Sequence, residues 1–220
     1  ALPLLGSSFI QLLYNAVDLI FIGNYVGKSA SAAVGSGSLL LTCLVGFITG
    51  ISVGAGVVVA QYYGAKDYKN LQDSVHTAMS LAGIGGIVLT IAGLLLSPFI
   101  LQWLRVPQEI FELSVSYIRI YFISILPMVL YNMGSAILRA YGDAKRPLIY
   151  LASGAILNVF LDWLFVAVFS WGVAGASWAT TISQTLSAVL IVVHLFSTKR
   201  EYRIHLKRLR IHKKQMMRIV

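Results

Sequence analysis

Charge is scarce in this chain: Asp, Glu, Lys and Arg together make up 11% of 220 residues, against roughly 25% in an ordinary soluble domain. A soluble fold of this length needs a polar surface, and long stretches carry no charge at all. Cysteine is almost absent. The single one, Cys43, excludes an internal disulfide framework and a cysteine metal site, and its apolar run suggests packing. No histidine pair has metal-ligand spacing: His76 and His194 fall toward helix ends, and His205 and His212 belong to a basic tail. Soluble catalytic constellations are likewise missing, so the chain reads as something other than an enzyme. No cleavable leader is evident, because the first apolar run holds Asn15 and Asp18 and lacks a basic start.

What is present is hydrocarbon. Residues of apolar type account for 58% of the chain and the mean hydropathy is +0.80, a membrane composition. Crossing about 30 Å of lipid as helix takes about 20 residues. Six such runs fit: 3–22, 32–60, 74–96, 113–138, 148–169 and 174–196. The expected fold is therefore an all-α membrane protein with six transmembrane helices. A barrel would show alternating segments of about ten residues instead. Residues 1–197 form the six-helix unit and 198–220 a basic linker. The start at Ala1 without Met, and the end on a basic run, suggest a fragment.

The net charge of +9 is distributed unevenly. Lys66 and Lys69, then Arg139, Lys145 and Arg146, then Lys199 to Arg218 alternate with a sparse set, Lys28, Arg105 and Arg119. By the positive-inside rule the first set is cytoplasmic, which places the N-terminus and the linker inside a cell membrane. Such charge flanks spans, and nucleic acid is not an expected partner. The tail interleaves Tyr202, Ile204, Leu206, Leu209 and Ile211 with its cations, as an interfacial helix on membrane lipid or a plain linker would. Gly46, Gly50 and Gly54, with Gly35, Gly37 and Gly56, and Gly83, Gly86 and Gly93, read as close helix packing. Pro3 and Pro127 are candidate bends.

Two acids lie inside spans, Asp18 and Asp162. A charge at that depth costs at least about 2.5 kcal/mol on insertion scales. The plainer reading is a helix-helix hydrogen bond by a protonated carboxyl; the functional one is a site that takes up and releases a cation. The neighbours favour the second. Gln11, Tyr14, Asn15 and Asp18 make one helical stripe, Gly154, Asn158 and Asp162 repeat every four, and Ser177, Thr180, Thr181, Gln184 and Ser187 form a third stripe. Counting at 1.5 Å per residue, Asp162 lies about 22 Å beyond Pro147. Thr180 falls about 9 Å from the opposite boundary and Asp18 a similar distance, about 6 Å, so the three share one level. Asn132 counts nearer the inside.

Several motifs follow in order: Leu13-Tyr14-Asn15-Ala16-Val17-Asp18 with Ile22-Gly23, and Gln61-Tyr62-Tyr63-Gly64-Ala65-Lys66. Then come Leu138-Arg139-Ala140-Tyr141-Gly142-Asp143-Ala144-Lys145 before Pro147, Leu157-Asn158 with Asp162, and Trp171-Gly172-Val173-Ala174-Gly175-Ala176. Their order and spacing resemble the multidrug and toxic compound extrusion (MATE) family over essentially the whole chain. The resemblance implies the N-terminal lobe of a two-lobed (6+6) transporter working by alternating access, with a second six-helix lobe as its partner. It implies a cation-coupling site whose pattern falls on Tyr14, Asp18, Asn132, Asn158, Asp162 and Thr180. It also implies no cofactor, a proton or sodium as coupling ion, and export of drugs or other organic, often cationic, amphipathic compounds. Sodium would sit at Asp18, Asn158, Asp162 and Thr180. Phe160, Trp163 and Trp178 are candidates to border the cavity or to anchor the spans. Two rivals are a lipid-linked oligosaccharide flippase of the same superfamily, whose cavity would want buried cations, and an intramembrane aspartyl protease using Asp18 and Asp162, whose Gly-x-Gly-Asp context is absent.

Overall fold

The structure is a computed structural model that describes residues 2–219. The side chains of residues 2–5, 7, 8, 12, 15, 28, 29, 39 and 207 lie outside the description, and with them Asn15 of the first stripe and the charges of Lys28 and Lys207.

All regular structure among the described residues is helical: α1 (Leu2–Tyr25), α2 (Lys28–Ser36), α3 (Ser38–Gly64), α4 (Tyr68–Trp103), α5 (Gln108–Ala140), α6 (Lys145–Asp162), a π-helix (Trp163–Val168), α7 (Gly172–Ser197), a 3₁₀ turn (Leu206–Arg208) and α8 (Lys213–Ile219). Five stretches are long and apolar enough to cross a membrane: α3 from Leu40, α4, α5, α6 with the π-helix, and α7. With α1, 24 residues long, they make six long helices in one bundle. The second span is shorter than the hydropathy suggests, because Gly37 separates it from α2, a short helix packed on α5. Sequence reading merged the two because both are apolar.

α5 is the central helix, in contact with α3, α4 and α7. Its close approach to α4 depends on missing side chains: a Cβ at Gly86 would meet Leu126 at 2.8 Å, and one at Gly93 would overlap the Phe122 ring. A Cβ at Gly54 would meet the Ile219 carbonyl at 2.5 Å, and one at Gly56 that of Ala136 at 3.3 Å. A Cβ at Gly35, Gly46, Gly50 or Gly83 would meet nothing within 4 Å among the described residues, so these four make no close helix packing there. Cys43 is exposed rather than packed. Arg119, grouped with the sparse connections, lies within α5. Pro3 falls in the first turn of α1, where proline removes no helical hydrogen bond. Pro98 and Pro127 lie inside α4 and α5. The carbonyl freed by Pro98, that of Leu94, accepts from Ser97 Oγ at 3.4 Å.

The tail forms no long helix among the described residues. It folds back as a strap across the basic end of the bundle, burying Tyr202, Ile204, Gln215 and Ile219 while Leu206, Leu209 and Ile211 stay exposed. Ile204 N–H donates to Leu195 O at 3.0 Å. Gln215 joins Asn70 and Ser74 of α4, each at 3.1 Å, and Arg218 donates to Tyr62 Oη at 2.6 Å.

Candidate functional site

Three helices bring their polar faces to one place. α1 supplies Tyr14 and Asp18, one turn apart; α6 supplies Gly154, Asn158 and Asp162; α7 supplies Thr180 and Ser183. Thr180 Oγ1 donates to Asp18 Oδ2 at 2.7 Å and Asn158 Nδ2 donates to Asp18 Oδ1 at 3.3 Å. Asn158 Nδ2 also reaches Thr180 Oγ1 at 3.4 Å. The carboxyl of Asp162 lies beside that of Asp18.

Burial separates the two acids. Asp18 is half-buried and borders a cavity of about 390 Å³ between α1, α3, α5 and α7. Asp162 and Asn158 are 0% exposed and lie outside that lining. The helices come this close because residue 154 is glycine: a Cβ there would collide with Ser187 Oγ and stand 2.6 Å from Tyr14 Oη and 2.9 Å from the Ser183 carbonyl. Directly after Asp162 the α-helix gives way to the π-helix, an irregularity frequent at functional sites. The chain then turns through Ser170 and Gly172, both at positive φ, into α7.

The donor count is unbalanced. Tyr14 Oη, Asn158 Oδ1, both oxygens of Asp162 and Ser183 Oγ are buried without a hydrogen-bond partner among the described residues. Three of these five atoms are carboxyl or amide acceptors on α6, next to a carboxyl that already takes two donors. Buried polar groups left unpaired are expensive, and two adjacent carboxylates cannot both stay charged away from water without a counter-charge. A proton shared by the acids, or a hard monovalent cation among these oxygens, would cancel the excess negative charge. No basic side chain takes part in the hydrogen bonds of the pair.

The fold is shared with known transporters. The family model described as MatE matches residues 3–164. The chain belongs to the MATE family. The probable multidrug resistance protein YpnP of Bacillus subtilis (strain 168) is 32% identical over 187 residues, 85% of this chain and 42% of the relative. A solved outward-facing multidrug resistance MATE transporter superposes with a TM-score of 0.91 at 27% identity, covering 99% of this chain and 48% of that one. An inward-facing one superposes at 0.87 with 28% identity, covering 95% and 48%. The chain thus spans about half the length of the relatives it matches. Those relatives are transporters, and this chain is a multi-pass membrane protein of their family.

Within this MATE lobe, Tyr14, Asp18, Asn158, Asp162 and Thr180 come together as the stripes and the depth count anticipate. Asn132 lines the same cavity, but its amide donates to its own helix, to Met128 O at 2.9 Å, and not to the acids. The α7 stripe divides. Thr180 and Gln184 face the cavity, whereas Ser177 and Thr181 bond to carbonyls of their own helix and Ser187 to Tyr150 O. Phe160, Trp163 and Trp178 are exposed on the outside of the bundle and do not line the cavity. Its aromatic wall is Tyr14, Tyr117, Tyr121 and Tyr131 instead. Tyr117 and Tyr121, one turn apart and stacked obliquely with centroids 6.1 Å apart, went unnoticed in the sequence, although their i, i+4 spacing was the available signal.

Proposed function

We propose that this chain is the N-terminal lobe of a cation-coupled antiporter that exports drugs or other organic, often cationic, amphipathic compounds. Residues 198–220 then lead toward a second six-helix lobe, and the N-terminus and linker face the cytoplasm. One observation carries the reading: the carboxyl of Asp18, held by Thr180 and Asn158 at the edge of a tyrosine-walled cavity, with the buried carboxyl of Asp162 behind it.

Asp18 is the member in contact with the cavity and Asp162 the sealed one. A cation entering from the cavity meets Asp18 first and is shared with Asp162 behind it, with Asn158, Thr180 and Tyr14 supplying neutral oxygens. Uptake of the cation cancels the negative charge next to the cavity. The attraction for a cationic substrate falls, and the substrate leaves as the driving ion enters. The tyrosine wall offers faces for an aromatic or quaternary cation. Likeness to both outward- and inward-facing relatives supports a lobe that rocks as one body against its partner. The ion is a proton or sodium. The relatives matched are multidrug transporters, which favours neither the oligosaccharide flippase nor the protease.

Export is measured in proteoliposomes of the two-lobed transporter under an imposed proton gradient and then a sodium gradient. Asp18→Asn and Asp162→Asn keep the shape and remove the charge; each is expected to abolish ion-driven export while leaving membrane expression intact. Wild-type coupling in both variants would make the carboxyls structural.

A further inference from the structure

The basic end of the lobe carries a second polar recess, separate from the acid pair. Lys69, Gln72, Asp73 and His76 fall at i, i+3, i+4 and i+7 on α4 and so share one face. The strap crosses that face and is pinned by backbone donors: His205 N–H to His76 Nε2 at 3.0 Å and His212 N–H to Thr77 Oγ1 at 3.1 Å. Between the two pins Arg208 and Arg210 hang over α4 and close a pocket of about 390 Å³. Arg208 donates one N–H to Gln72 Oε1 at 3.1 Å and Arg210 one to His212 Nε2 at 3.0 Å. A guanidinium has five N–H groups, so both are oriented and retain donors.

The charges in this recess do not balance. Asp73 is its one acid and approaches His212 at 3.5 Å; Lys69, Arg208 and Arg210 make no ion pair among the described residues. Charge that only orients a span has no reason to converge on one restrained face. An adjoining recess of about 490 Å³ is lined by Phe196, Arg203, Ile204, His205 and Leu206 and shares Arg208 with the first. Leu206, 73% exposed, projects beside it.

We infer that the recess between α4 and the strap is a binding site for a phosphate-bearing anion, held by Lys69, Arg208 and Arg210. Paired guanidinium donors match phosphate oxygens. The apolar side of the neighbouring recess, Phe196, Ile204 and Leu206, suits the glycerol and first methylenes of an anionic phospholipid, and its Arg203 adds a further cation for the headgroup. A membrane lipid and a free phosphate share the headgroup chemistry, and the experiment separates them.

The purified 220-residue chain, in a neutral detergent, is given equimolar phosphatidylglycerol and phosphatidylcholine and examined by native mass spectrometry. The retained lipid is expected to be phosphatidylglycerol. Arg208→Gln with Arg210→Gln should weaken it about 25-fold, roughly fivefold for each cation near a membrane surface, while Arg208→Lys with Arg210→Lys keeps most of it. Arg105→Gln, in the α4–α5 connection, leaves retention unchanged. Displacement by inorganic phosphate would assign the site to phosphate alone; failure to displace would assign it to the whole lipid, and either outcome upholds the headgroup site. The melting temperature checks folding. If the double Gln variant unfolds, Lys69→Gln replaces it, with about a fivefold loss expected. Equal retention of phosphatidylglycerol by wild type and folded charge-removal variants, or no preference over phosphatidylcholine, would overturn the inference.

Discussion

Thr180 is the residue whose contribution is easiest to isolate. Its hydroxyl makes the shortest hydrogen bond to the acid pair, 2.7 Å to Asp18, and a bond to a charged group is worth about 1.5–3 kcal/mol. Thr180→Val keeps the volume and removes the donor. It should raise the half-saturating concentration of the driving cation by roughly 10–100-fold, and Thr180→Ser should restore it; an ion-titrated efflux assay reads both. The acid pair and its partners were legible in the sequence because a carboxyl in an apolar run has no cheap explanation. Ser183, Tyr117 and Tyr121 were not. A serine on a helix usually satisfies itself against its own backbone, and tyrosines on a span look the same whether they wall a cavity or anchor at an interface. Phe160, Trp163 and Trp178 drew attention for their size and point outward.

The six runs of hydropathy located the long helices, whereas their ends came from features hydropathy does not see. Asp67 caps α4 by accepting from Asn70 N–H at 3.2 Å, which carries that helix one and a half turns below the run that begins at Ser74. Those Asn70 hydrogen bonds hold the half-buried Asp67 carboxyl below its usual range. A depressed acid contributes stability above its unfolded-state pKa and loses it as pH falls through the lower folded value. The α3–α4 turn should therefore loosen on acidification below the ordinary carboxylate range, and in Asp67→Asn that acid-dependent part should disappear, as amide exchange at Asn70 and Leu71 would register. Glycine spacing was a poorer guide than glycine surroundings. Gly93→Ala forces a methyl into Phe122 and should destabilise by about 1–3 kcal/mol. Gly46→Ala enters open space and should be neutral or slightly stabilising. Thermal unfolding of the detergent-solubilised chain compares the two, and equal losses would contradict the packing described. The π-helix after Asp162 and the folded-back strap left no periodic signature, because each depends on tertiary contacts.

At the scale of the whole molecule, the basic end and the sparse end of the bundle define an orientation. With the basic end inside, single cysteines at positions 66 and 145 in a Cys43→Ala background should resist an impermeant thiol reagent in intact cells, while one at 28 reacts. Labelling at 145 but not at 28 would invert the topology. The acid pair lies toward the sparse end, so in this orientation it sits nearer the outside. Under the proposed coupling, the driving cation would reach Asp18 from an outward-open cavity and travel no further than Asp162 before the lobes rock. Everything in this account turns on those two carboxyls holding one cation between them. The direct measurement is the infrared carboxyl signal of the two-lobed transporter, titrated with pH and with sodium, for wild type, Asp18→Asn and Asp162→Asn. We predict one protonated-carboxyl band in wild type that is lost on proton release or on sodium binding, and is altered or absent in each variant. A wild-type spectrum indifferent to both ions, or the same titration surviving in both variants, would contradict it.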